Sequence, residues 1–298
     1  MVDRLKTVSA IQIEHQRNSL LPTDRVICPL CWNLNLDVEL SDEHVFPSCI
    51  EGKIRMITCT SCNTKIGSKY DFHLGLELEQ HRAMTGGTVG PPVKSVVRMG
   101  DIRLAANMRC SAEGSVDLTI VGKKRATNPD HIRRSLEFMK GGEMADIEIS
   151  LPIPHPQMLN RAVLKSCYLA ASMFVGYEWA RAVAPNFVRR LGTGEIESNE
   201  LESLVYRFPS LGIELNDAFM IGVLSDLDVI MLTFPIGSKP VYFRATVLPF
   251  ADQSITQYLQ NARLFFDRLK IGSNTIEYRE CYVVDSNYQV TDSLNASA

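Results

Sequence analysis

The sequence predicts an α+β protein, with a small zinc-clamped N-terminal module ahead of a larger mixed domain that has an antiparallel sheet and one long helix. Three observations carry this expectation. Two C-x-x-C pairs, CPLC at Cys28 and Cys31 and CTSC at Cys59 and Cys62, lie near the start of the chain. An apolar repeat at helical spacing runs from Pro156 to about Ala184 through Leu159, Val163, Cys167, Ala170 and Phe174, as one packed stripe of a helix requires. Short strand-like runs around Ile213, Ala218 to Leu224, Val229 to Phe234 and Val241 to Leu248 follow it, with turns at Ser225-Asp226 and Gly237-Ser238, the pattern of an antiparallel sheet.

The cysteine pairs come first. Four thiolates in two knuckles are what a tetrahedral structural zinc site needs. The other readings of the same residues are two unrelated buried pairs or a redox C-x-x-C. The 27 residues between Cys31 and Cys59 exceed the spacing of a simple zinc ribbon, so something further is built between the knuckles. That interval contains SDEHVFPS, residues 41 to 48, in which Glu43 precedes His44. Cys49, Cys110, Cys167 and Cys281 are scattered singly and read as small buried hydrophobes,.

Eight cysteines in 298 residues are too few for a disulfide scaffold, and MVDRLKTVSAIQIEH lacks the unbroken apolar run of a signal peptide,. No uncharged apolar run reaches the roughly 18 residues that a membrane span requires. The expectation is a cytoplasmic protein. Its net charge of −3 is unevenly spread. Residues 1–43 hold 4 basic and 7 acidic groups, residues 44–140 hold 15 and 9, and residues 141–298 hold 12 and 18. The middle segment, at +6, suits a polyanion such as DNA,, or forms a mixed solvated surface.

The remaining elements follow in order. TGGTVGPP, residues 85 to 92, interrupts any regular element and reads as a hinge, placed over 85–94 between a module at 1–84 and a domain at 95–285,. VKSVVRMGDIRLAANMRC and SVDLTIVG then read as two strand-like segments separated by a turn at SAEG, a β-hairpin,. A helix starts at Pro129, capped by Asn128 and patterned on Ile132, Leu136 and Met139, and stops at Gly141-Gly142,. EMADIEISLPIP reads as another strand. Within the long helix, Arg161, Lys165, Glu178 and Arg181 lie among apolar residues and read as the polar part of an ordinary amphipathic helix. The tail, residues 286–298, reads as poorly ordered.

CPLC, then EHVFP, then CTSCNTKIGS, then Asp71 together resemble the HNH endonucleases of the ββα-metal type, in the subgroup with a Glu-His-x-x-Pro element and four zinc cysteines. The resemblance covers about residues 26 to 75. It implies that His44 is the general base, that Glu43 and Asn63 hold a catalytic Mg²⁺ or Mn²⁺, and that Cys28, Cys31, Cys59 and Cys62 hold a structural zinc. Asp71 and His73 are candidates for an additional ligand, and Lys65 and Lys69 for nucleic-acid contacts. Two features depart from the family pattern. IEGKIRMIT has no match for the family's middle asparagine, and Glu43 stands where aspartate is commoner.

The function expected from this resemblance is metal-dependent hydrolysis of DNA phosphodiesters, in restriction or defence against foreign DNA. The apolar long helix and the strands near Ile221 and Val229 suit assembly into a homodimer or higher oligomer through the region after the hinge, or fill the domain's own core,. The alternatives are a zinc-dependent nucleic-acid-binding module without cleavage and a structural subunit bound to a partner protein. An intact Glu43, His44 and Asn63 favours the enzyme, because a zinc scaffold needs none of them.

Overall fold

A computed structural model describes residues 10, 12–14, 16, 26–34, 37–84, 92–99, 102–111, 115–121, 129–140, 147–209, 218–224, 226–237, 242–270, 280–285 and 290–293. The chain forms two compact units, one of Met1–Leu74 with His155–Ala298 and one of Gly75–Pro154. This differs from the expected division at 85–94. Residues 26–74 pack directly with helices that follow His155, so the N-terminal module and the C-terminal sheet share one body, and the segment between them is the separate unit. Residues 85–91 of the expected hinge lie outside the described residues.

In the first unit, β1 (Leu40–His44) pairs antiparallel with β2 (Arg55–Cys59), Leu40 opposite Cys59 and His44 opposite Arg55. The intervening loop is closed by the Val45 N–H on the Ile54 carbonyl at 3.0 Å and the Gly52 N–H on the Pro47 carbonyl at 3.2 Å. Only glycine fits at position 52, where a Cβ would stand 2.0 Å from the Phe46 carbonyl oxygen,. β2 runs without a loop into a helical segment: a turn at Thr60–Cys62, a π-helix over Asn63–Asp71, then α1 (Phe72–Met84). A π stretch is rare and is frequently found at functional sites.

The second unit is a four-stranded antiparallel sheet in the order β5-β4-β3-β6, built from β3 (Val93–Met99), β4 (Ile102–Cys110), β5 (Val116–Ile120) and β6 (Ile147–Ser150). Val93, Ser95, Val97 and Met99 alternate inward along β3, and Val97 and Met99 join Ile102, Leu104 and Ala106 in one cluster. α2 spans Pro129–Lys140, as the sequence predicts from Pro129; its expected cap Asn128 and stop at Gly141-Gly142 lie outside the described residues.

The chain re-enters the first unit with α3 (Pro156–Phe174), α4 (Tyr177–Arg181) and α5 (Val183–Thr193). The single long helix expected here is thus three. Gly176, at φ 113°, takes a backbone conformation that ends α3, and extended Ala182, at ψ 164°, separates α4 from α5. α3 is buried on nearly every side, the state of a helix enclosed by its own domain.

A six-stranded antiparallel sheet follows in the order β12-β11-β8-β9-β10-β7. Its strands are β7 (Val205–Pro209), β8 (Phe219–Leu224), β9 (Val229–Ile236), β10 (Tyr242–Pro249), β11 (Glu280–Val284) and β12 (Val290–Ser293). β8 and β10 are buried at every position, which explains their unbroken apolar runs,. The expected strand at Ile213 and the residues Ser225 and Ser238 of the expected turns lie outside the described residues. β12 falls within the expected unstructured tail; its pairing with β11 supplies the order that its polar sequence does not signal. α6 (Ile255–Lys270), which the sequence reading did not anticipate, buries Tyr258, Ala262 and Phe265 at helical spacing, and the Tyr258 hydroxyl donates to the Val247 carbonyl at 2.8 Å. Phe46 of the hairpin loop stacks on Phe234 of β9, ring centroids 4.5 Å apart. Among the described residues no helix is long and apolar enough to cross a membrane.

Candidate functional site

Cys28, Cys31, Cys59 and Cys62 place their four Sγ atoms within 4.8 Å of one another, the Cys31 and Cys59 sulfurs being 3.7 Å apart. Zinc–sulfur bonds of about 2.3 Å in a tetrahedron separate the sulfurs by about 3.8 Å. The donor set and its spacing therefore fit a structural metal such as zinc, and soft thiolates select zinc over Mg²⁺ or Ca²⁺. In the first knuckle the Trp32 N–H closes a turn on the Cys28 carbonyl at 2.9 Å, with Trp32 left-handed at φ 54°. In the second, Cys59 ends β2 and its sulfur accepts the Cys62 N–H at 3.3 Å. The Cys31 hydrogen bond lowers the pKa of the Cys28 thiol, but bonding to Cys62 and burial outweigh it and push it up to about 12. Cys31 is also raised, by its hydrogen bond with Cys28 and by burial. Crowded thiols hold their protons until a cation takes up the charge.

The knuckles are anchored from the C-terminal helices. The Tyr168 hydroxyl donates to the Pro29 carbonyl at 3.2 Å and the Tyr177 hydroxyl to the Ile27 carbonyl at 3.1 Å. Arg189 of α5 donates to the Leu30 carbonyl and is itself held by both carboxylate oxygens of Glu195. Gln12 accepts the Ile57 N–H at 2.8 Å and donates to the Ile57 carbonyl at 3.0 Å.

The residues singled out between and after the knuckles lie on β1, the π-helix and the start of α1. His44, at the end of β1, is half-buried, and burial together with the Arg55 charge lowers its pKa, so the imidazole is predominantly neutral at pH 7. Asn63 donates from Nδ2 to Ser41 Oγ at 3.1 Å and to the Asp42 carbonyl at 2.9 Å, which ties the start of the helix to β1. A Cβ on Gly67 would lie 3.6 Å from Asn63 Oδ1 and 3.5 Å from Asp71 Oδ2, so these two oxygens flank the glycine.

Glu43 is only 3% exposed. Its Oε1 accepts from Lys165 Nζ at 3.0 Å, and both carboxylate oxygens of Asp71 accept from the same ammonium at 2.8 Å. Burial raises the pKa of Glu43 and of Asp71 against the pull of Lys165. Burial also works against the Lys165 charge, but Asp71 and Glu43 outweigh it and hold the lysine above its ordinary value. His73 takes the His155 N–H on Nδ1 at 3.1 Å. Lys65 and Lys69 are exposed on the π-helix.

Sequence reasoning missed Lys165, which it read as part of an ordinary amphipathic face. Lys165 and Arg161 are instead buried in α3. The available signal was a lone lysine inside AVLKSCYLAAS, where a buried ammonium requires acidic partners. Of the single cysteines, Cys167 is buried as expected, but Cys49 is exposed and donates to the Asp71 carbonyl at 3.2 Å, and Cys110 is part-exposed. Comparison with protein-family models, with curated proteins and with solved structures finds no match.

Proposed function

We propose that this chain is a metal-dependent endonuclease of the HNH type that hydrolyses DNA phosphodiesters, with His44 as general base. The observation that carries this reading is the Asn63 side chain bonded back to β1 beside Glu43 and His44. It ties the residue that follows the last knuckle cysteine to the strand that carries Glu43 and His44, which supports the three residues of the resemblance acting together. A neutral imidazole is the form a general base needs. His44 removes a proton from water, the water oxygen bonds to phosphorus, and the bond to the leaving deoxyribose oxygen breaks, that oxygen then taking a proton from solvent. Two carboxylates against one ammonium leave the Glu43–Asp71–Lys165 cluster a net negative charge, and hard oxygen donors suit Mg²⁺ or Mn²⁺. Held by Glu43 and Asn63, such an ion would supply positive charge at the scissile phosphate. Lys65 and Lys69 would contact neighbouring phosphates, and a homodimer would present two sites to two strands.

A second reading has its own observation. The Glu43 carboxylate is committed to Lys165, which suits a zinc-clamped nucleic-acid-binding module without cleavage. Incubating the purified protein with supercoiled plasmid and Mg²⁺ or Mn²⁺, with and without chelator, decides between them. Metal-dependent nicking or linearisation is expected; retarded but uncut DNA would favour the binding module.

A further inference from the structure

Lys165 lies 122 residues from Glu43 and 94 from Asp71 in sequence, yet its ammonium binds both carboxylates. Each acid comes from a different element: Glu43 from β1, Asp71 from the last position of the π-helix. The lysine comes from the centre of α3 and is 1% exposed. It therefore does not reach a substrate in solvent. What it does is fix the relative positions of the strand bearing Glu43 and His44 and of the helix bearing Asn63 and Asp71. Its own backbone is fixed in turn: a Cβ on Gly192 of α5 would come within 3.0 Å of the Lys165 backbone nitrogen, so the two helices touch at this level.

We propose that Lys165 is a positioning residue of the candidate phosphodiesterase site, an internal cation that sets Glu43 against Asn63 and so places the site under the control of α3. This rests on the nuclease reading above. Holding a carboxylate in one orientation matters because a ligand or base misplaced by about 1 Å costs on the order of 10²-fold in rate. A purely structural lysine would instead be interchangeable with any arrangement that balances the buried charge, since replacing a buried ion pair by neutral groups is often tolerated.

The test separates these roles in the full-length protein. Lys165→Met leaves two unmatched carboxylates, whereas Lys165→Met combined with Asp71→Asn restores the cluster's original net charge. Lys165→Gln is a third variant, whose amide still donates to one carboxylate. Each is assayed for zinc content, thermal midpoint, DNA affinity, single-turnover cleavage and the Mn²⁺ concentration giving half-maximal rate. The expected result is that the double variant, or Lys165→Gln, keeps zinc and DNA affinity while cleavage at saturating DNA falls at least 10-fold and more Mn²⁺ is needed. Wild-type cleavage in a folded double variant would overturn the role of Lys165 and leave the nuclease reading intact. Loss of zinc in both variants would assign Lys165 to the fold alone. A wild-type chain that cuts nothing would remove the nuclease reading, and the role of Lys165 with it.

Discussion

The hydroxyl of Tyr168 donates to the carbonyl of Pro29 at 3.2 Å, across 139 residues of sequence. Pro29 lies inside the first cysteine knuckle and Tyr168 at the buried centre of α3, so the knuckle and the C-terminal core are one hydrogen-bonded body. A metal held at the cysteines would for that reason be coupled to the packing of helices that supply no ligand.

Zinc removal should be felt far from the knuckles. The chain has two tryptophans: Trp32, whose ring sits edge-on to Tyr177 at 5.5 Å, and Trp179, whose indole N–H donates to the Pro249 carbonyl at 2.8 Å. About one zinc per chain is expected by metal analysis. In a Trp32→Phe background, chelation should red-shift the remaining Trp179 emission, because the C-terminal helices loosen with the knuckle. Unchanged Trp179 emission in metal-free protein would show that the two parts fold independently.

Tyr168→Phe tests the anchor itself. Removing the hydroxyl leaves the buried Pro29 carbonyl without this donor, at a cost of about 1–3 kcal/mol. Part of that appears as weaker zinc binding, about tenfold for each 1.4 kcal/mol. Competition with a chromogenic chelator measures it, and an unchanged zinc affinity would place the bond outside the metal linkage.

Much of this arrangement was legible in the sequence and part was not. The cysteine knuckles, α2 and the strands β8 to β10 follow from local rules: ligand spacing, a proline start, unbroken apolar runs. The division of the chain into units did not follow, because TGGTVGPP looks like a domain boundary while the true junction, Leu74–Gly75, lies within α1. Nor did the break at Gly176, since the apolar period continues across it in Tyr177 and Ala180. For Lys165 the apolar run AVLKSCYLAAS signals that a buried ammonium needs acidic partners, but not which ones,. A lysine shows its partners only when distant carboxylates are brought to it, and helical periodicity carries no such information.

Gly67→Ala should separate stability from function. The position is helical and the added methyl meets only ordinary contacts, 3.5 Å to Asp71 Oδ2 and 3.6 Å to Asn63 Oδ1. Replacing a helical glycine by alanine stabilises by about 0.5–1 kcal/mol, so the thermal midpoint should rise. Cleavage should fall, because the methyl fills the gap between those two oxygens. A more stable variant with undiminished cleavage would mean that the gap is not part of the site.

His44→Ala bears most directly on the nuclease reading. Single-turnover cleavage of plasmid by this variant in Mn²⁺, with zinc content and DNA affinity measured on the same preparation, should be slower than wild type by about 10²- to 10⁴-fold, the loss expected of a general base, while zinc and affinity stay unchanged. Cleavage at the wild-type rate by a zinc-loaded His44→Ala protein would contradict the assignment of the base and the site built around it.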